Sequence, residues 1–144
     1  MRVLALDVGQ RRIGVAVSDP SGMLARPLTV VRRVRQVQDL QAIVALQQRE
    51  GAERVLVGLP LTLSGEVGPQ AEWTLRFVDA LKAALGDVPV ETWDERYTTV
   101  DASTSLRAQG VKAKDQRSTI DMVAAAVLLQ SYLDQRKTGE SSPL

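Results

Sequence analysis

The chain has 144 residues, 44% of them hydrophobic, and a formal net charge of +1, which is one ordinary domain with enough apolar material to bury a core. It contains no Cys and no His, which excludes disulfides, thiolate and Ser-His-Asp nucleophiles, histidine general bases, and thiolate or imidazole metal sites. Acid–base or metal chemistry in such a chain falls to carboxylates, which select hard cations such as Mg²⁺ or Mn²⁺. The charge is unevenly spread: residues 1–35 carry seven Arg against two Asp, and residues 36–99 carry five basic against ten acidic residues. A basic first segment suits a polyanion, though solvated surface arginines are equally common.

Val3 to Gly9 is β-rich and reads as a first strand. Asp7 interrupts its apolar stretch and no small-residue cleavage site follows, so it does not read as a signal peptide. Arg12 to Asp19 reads as a second strand after a tight turn at Gly9-Gln10, and Pro27 to Val31 as a third after Pro20-Ser21-Gly22. Leu40, Ile43, Val44, Leu46 and Gln47 have helical spacing, and Gly51 stops that helix. Arg54 to Pro60 is an apolar run of the buried parallel type. A loop from Thr62 to Gly68 leads to Pro69 at a first helical position, and Leu75, Val78, Leu81, Lys82 and Leu85 carry that helix to Gly86. Val88 to Trp93 is a fifth strand, Thr98 to Gln109 a short helix closed by Gly110, and residues 111–117 a charged connector. Ser118 to Lys137 forms the last helix. One domain over residues 1–137 is expected, with the small polar tail 138–144 disordered. The longest uncharged apolar run, Met122 to Leu129, is too short to span a membrane, so a cytoplasmic protein is expected. The order βββαβαβαα joins an antiparallel meander to parallel crossovers. It implies an α/β domain with one mixed five-stranded sheet, helices on both faces, and the first strand central beside the fourth.

Three carboxylates stand out by position. Asp7 ends the first strand, in phase with Val3 and Ala5; it either meets a cation in a covered sheet or bonds the backbone of the following turn. Glu95 follows the fifth strand, where alternation puts it on the face of Glu91 and Trp93 with Asp94 opposite. Asp94-Glu95-Arg96 also reads as a solvated charged turn. Both acids lie at carboxyl ends of parallel strands, where open α/β sheets gather ligands. Asp121 fits a capping box over Ser118-Thr119-Ile120-Asp121, serving a first helical turn. It also shares a stripe with Ala124, Ala125 and Leu128, whose small side chains let a helix approach the sheet. If all three acids converge, they suit phosphodiester cleavage, in which two divalent ions about 4 Å apart activate water and stabilise the departing oxygen. Cations would also hold crowded carboxylates ionised. Arg11 and Arg12 in the first turn, and Lys112, Lys114 and Arg117 before the last helix, flank these acids and suit phosphate contacts. Arg96, beside Glu95, is counted with them. Aromatics are 3% of the chain, which limits base stacking.

Several segments together resemble the YqgF/RuvX family of RNase H-like proteins, described as pre-16S rRNA nucleases and Holliday junction resolvase-like proteins. They are Leu6-Asp7-Val8-Gly9-Gln10-Arg11-Arg12-Ile13-Gly14-Val15-Ala16-Val17-Ser18-Asp19, Val57-Gly58-Leu59-Pro60-Leu61, Gly68-Pro69-Gln70-Ala71, Trp93-Asp94-Glu95-Arg96-Tyr97-Thr98-Thr99, and Ile120-Asp121 with Ala124-Ala125. The resemblance implies an RNase H-like fold, metal bound by Asp7, Glu95 and Asp121, and a nucleic-acid cleft lined by the glycine-arginine turn and the loop after the fourth strand. The implied partner is nucleic acid, RNA first and branched DNA second, for a monomer or homodimer with no membrane contact. RuvC-type resolvases look similar in topology but carry a fourth acid one helical turn past the third, where this chain has Ala124. The connector is also sparser in lysine than is common in the family. A silent RNA-binding assembly factor on the same fold stays open as an alternative. An ATPase of the actin–hexokinase type does not fit, because 144 residues cannot supply its second domain.

Overall fold

The computed structural model describes residues 1–97 and 117–139. Five strands form one mixed sheet: β1 (Val3–Val8), β2 (Arg12–Ser18), β3 (Ala25–Arg32), β4 (Arg54–Leu59) and β5 (Val90–Asp94). Their order is β3-β2-β1-β4-β5. The β1–β2 and β2–β3 pairs are antiparallel, while β4 runs parallel to both β1 and β5. The first strand is therefore central and beside the fourth, as the element order implies.

Among the described residues three helices cover this sheet: α1 (Gln36–Glu50), α2 (Pro69–Leu85) and α3 (Arg117–Gly139). Gly51 ends α1 in the left-handed region at φ 66°, a conformation open to glycine without a Cβ penalty. Pro69 opens α2 at its first turn, where its missing N–H costs nothing. Pro27 lies inside β3, which is tolerated because β3 is an edge strand.

Period-two alternation divides the core in two. Leu4, Leu6, Ile13, Val15 and Val17 point to the face packed by Ile43 of α1 and by Phe77 and Leu81 of α2. Val3, Ala5 and Ala16 point to the other face, under Ala125, Leu128, Leu129 and Tyr132 of α3. Side chains covered on both faces explain why β1 and β4 are apolar runs and not alternating ones. Polar ties fix α3 on its sheet. The Gln130 side chain accepts from the Ala25 N–H at 2.9 Å and donates to the Met23 carbonyl at 3.1 Å. Tyr132 donates to Glu91 Oε1 at 2.8 Å, and Arg54 pairs with that oxygen at 2.7 Å. Trp93 stands edge-on to Tyr132, with ring centroids 5.3 Å apart.

Several boundaries differ from expectation, and the third strand is longer at both ends, Ala25–Arg32. The fifth strand runs two residues later at its start, from Val90, and ends at Asp94. Glu95–Tyr97 then form a 3₁₀ turn. The last helix opens at Arg117 and has no acid in its first turn, so the capping-box role for Asp121 is overturned. The expected short helix Thr98–Gln109, the connector residues 111–116 and the tail beyond 139 lie outside the described residues. Among the described residues no helix is long and apolar enough to cross a membrane.

Candidate active site

Asp7 lies next to the end of β1, on the face covered by α3, and its register partner on β2 is Gly14. On its other side, β4 pairs Val57 with Leu6, so Gly58 follows one step along beside Asp7. These two glycines shape the site. A Cβ on Gly14 would overlap the backbone carbonyl of Asp121, standing 2.5 Å from its carbon. The bare backbone is what lets α3 lie with Asp121 against the strand beside Asp7. A Cβ on Gly58 would stand 2.6 Å from Glu95 Oε2 and 3.0 Å from a Leu128 methyl, so the Glu95 carboxylate folds back over β4 into the space that glycine leaves. Neither glycine was given this role by sequence reasoning, although an isolated glycine within a strand is the usual signal of a close approach.

Asp7 and Glu95 share a cleft of ≈ 380 Å³ with Ala124, Val127 and Leu128. Burial pushes the Asp7 carboxyl up from its ordinary value, and the nearby Asp121 charge adds to the effect. Glu95 is pushed up to about 6, by burial first and then by the charges of Asp7 and Asp94. Among the described residues no basic group contributes to either. Asp121 is turned aside from this pair: Arg12 Nε donates to its Oδ2 at 2.6 Å. As the side chains stand, no three acids among the described residues gather into a metal-holding group. The donor set nevertheless fits a hard divalent cation. Two half-buried carboxylates crowd one cleft without a counter-charge, a third is anchored beside them, and oxygen is the only strong ligand type in a chain without His or Cys.

Glu95 reaches the expected face, that of Glu91 and Trp93, but it does so from the 3₁₀ turn and not by strand alternation. Asp94 is not part of the cleft. Both its oxygens bind Arg96, at 2.6 Å for the Nη2 contact, and this holds the Asp94 carboxyl below its usual value. Arg96, taken from the sequence as a phosphate contact, also donates to the Leu63 carbonyl at 3.3 Å and so ties the loop after β4 to the end of β5. Arg11 is exposed and lines a surface concavity with Gly9, Gln10, Arg12 and Asp121. Arg117 begins α3, but its side chain lies outside what is described, as do Lys112 and Lys114.

The RuvX family, described as Holliday junction resolvase, matches residues 1–135. The chain belongs to the RuvX family. A RuvX relative from Chloroflexus aurantiacus, named "Putative pre-16S rRNA nuclease", is 50% identical over 136 residues, covering 94% of this chain and 88% of that one. A relative from Desulforudis audaxviator with the same name is 43% identical over 142 residues, covering 99% of this chain and 100% of that one. Among solved structures, RuvC of Thermus thermophilus in complex with a Holliday junction substrate covers 100% of both chains with a TM-score of 0.64 at 20% identity. The fowlpox virus Holliday junction resolvase covers 94% of this chain and 99% of its own, with a TM-score of 0.56 at 11% identity. At such identities the likeness is one of fold, and the fold is the RNase H-like one.

Proposed function

We propose that this protein is a metal-dependent nuclease that hydrolyses phosphodiester bonds of RNA in the maturation of 16S rRNA. In this reading Asp7, Glu95 and Asp121 hold Mg²⁺ or Mn²⁺. The observation that carries it is the pairing of Asp7 and Glu95 in one cleft, at the carboxyl ends of parallel strands, with both proton affinities raised first by burial and then by neighbouring acids, Asp121 for Asp7 and Asp7 for Glu95. Bound divalent cations supply an activated water and stabilise the departing oxygen. The chain's own residues do the rest. Asp7 and Glu95 set two carboxylates beside the space that α3 and the glycines leave. Ala124, Val127 and Leu128 wall the cleft with apolar surface, which strengthens the electrostatics beside it. Arg11, at the exposed first turn, is placed to hold a backbone phosphate, a contact that positions a strand without reading it.

The RNA reading follows the name given to the relatives that align over nearly the whole chain. Ala124 stands in the cleft wall where RuvC-type resolvases carry a fourth acid, which distinguishes this cleft from theirs. The test is an incubation of the purified protein with a 16S precursor RNA, single-stranded RNA and a four-way DNA junction, each in Mg²⁺, Mn²⁺ or EDTA. RNA cleavage in either metal and none in EDTA is expected. Cleavage confined to the junction would replace the RNA substrate with branched DNA. RNA binding without cleavage in any metal would make the protein an assembly factor.

A further inference from the structure

Arg12 opens β2, Arg32 ends β3, and the two are direct cross-strand partners. Their side chains therefore leave the sheet on one face, the face that α3 covers. Like charges directly opposite each other repel, and an anion nearby relieves them. In the free protein Asp121 serves Arg12 in this way, at 2.6 Å. The pair is not sealed in: the two side chains are 29% and 27% exposed. A guanidinium has five N–H donors, and among the described residues the bond to Asp121 is the hydrogen bond that the Arg12 side chain makes. Arg12 also lines a concavity of ≈ 330 Å³ with Arg32, Thr29 and Met122, and among the described residues no acid lines it. Two guanidiniums beside an open hollow match a phosphodiester, which arginine grips through paired N–H donors.

We propose that Arg12 and Arg32 form a seat for a nucleic-acid phosphate, and that filling this seat releases Asp121 to help hold a divalent cation. The proposal rests on the nuclease reading above and adds to it the order in which substrate and metal assemble. The Arg12 guanidinium holds Asp121 Oδ2 at 2.6 Å, and its charge repels a cation from that carboxylate. A phosphate that engages Arg12 removes both obstacles together. Linkage then requires that RNA tighten metal binding and that metal tighten RNA binding by the same factor. Arg12 acts here as a positioning residue through Asp121, and Arg32 as a substrate contact.

The experiment is calorimetric titration of Ca²⁺ into the whole protein, alone and saturated with a short single-stranded RNA, so that binding is read without turnover. In the wild type, RNA should tighten Ca²⁺ binding by about 5-fold or more, the lower end of ordinary coupling. Arg12→Ala should bind Ca²⁺ more tightly than the wild type when RNA is absent, and RNA should then change its affinity little. Arg12→Lys keeps a point charge on Asp121 and should return Ca²⁺ affinity toward the wild-type value, which also guards against Arg12→Ala failing to fold. Arg32→Ala should leave Ca²⁺ affinity unchanged without RNA while weakening RNA binding. Ca²⁺ affinity that is the same in the wild type and Arg12→Ala, or RNA coupling that persists in Arg12→Ala, would overturn the proposal and leave the nuclease reading intact. No Ca²⁺ binding by the wild type with or without RNA would overturn both.

Discussion

A methyl group added at Gly58 should separate the placement of Glu95 from the stability of the fold. The new Cβ would stand 2.6 Å from Glu95 Oε2 and 3.0 Å from the Leu128 methyl, against a comfortable carbon contact of about 3.5 Å or more. The carboxylate must swing away by roughly 1 Å, which a flexible side-chain end does readily. A displacement of that size at a reacting centre costs about 10²-fold in rate. The crowding against Leu128 costs about 1–3 kcal/mol, or a melting temperature lower by several degrees. Gly14→Ala is the contrast, because its obstacle is backbone. With the Asp121 carbonyl carbon 2.5 Å from the new Cβ, α3 itself must lift, so this variant should lose more stability than Gly58→Ala along with its activity. Initial rates of metal-dependent RNA cleavage, measured beside thermal melts, read both effects. A folded Gly58→Ala variant cleaving at the wild-type rate would show that the Glu95 carboxylate does not need its place over β4, and would remove it from the catalytic set.

The folded pKa of Glu95 is raised from 4.5 to about 6, so the protonated form favours the fold and that stability is lost as pH rises through this window. Melting temperatures in EDTA should fall between pH 4.5 and about 6, and Glu95→Gln should flatten the profile; superimposable profiles would contradict the burial of this carboxyl. Asp94→Asn should loosen the loop that Arg96 ties through the Leu63 carbonyl, raising hydrogen exchange at Thr62 to Glu66, while cleavage persists; an inactive Asp94→Asn would make Asp94 the catalytic acid of the pair. Arg11→Ala should weaken RNA binding equally across sequences and reduce the slope of log affinity against log salt by about 0.7, one phosphate contact's worth on a single strand. An unchanged slope would move the nucleic-acid path away from the first turn.

Much of this architecture is legible locally. Period-two alternation along β1 places Asp7 with Val3 and Ala5, and the apolar run of β4 declares a strand covered on both faces. The missing parts are those that long-range packing decides. Glu95 reaches its face through a 3₁₀ turn, because the strand stops at Asp94 once Arg96 claims that side chain. The capping pattern around Asp121 is a real local signal, but the helix begins at Arg117 and the acid is met by Arg12, 109 residues earlier in the chain. No short window of sequence contains that contact. Arg96 shows the same limit, since charge can be read from the sequence but a partner cannot. Gly14 and Gly58 lie in between: an isolated glycine in a strand announces a close approach, while what approaches emerges only with the fold.

The most direct measurement is cleavage of a 16S precursor RNA by Asp7→Asn in saturating Mg²⁺. Asparagine keeps the shape of the side chain and removes its charge. Because burial already disfavours the ionised Asp7, the metal-free variant should melt no lower than the wild type. Cleavage should vanish while the fold persists. Turnover by a folded Asp7→Asn at the wild-type rate, or wild-type turnover undiminished by EDTA, would contradict a cation held by carboxylates at this end of the sheet.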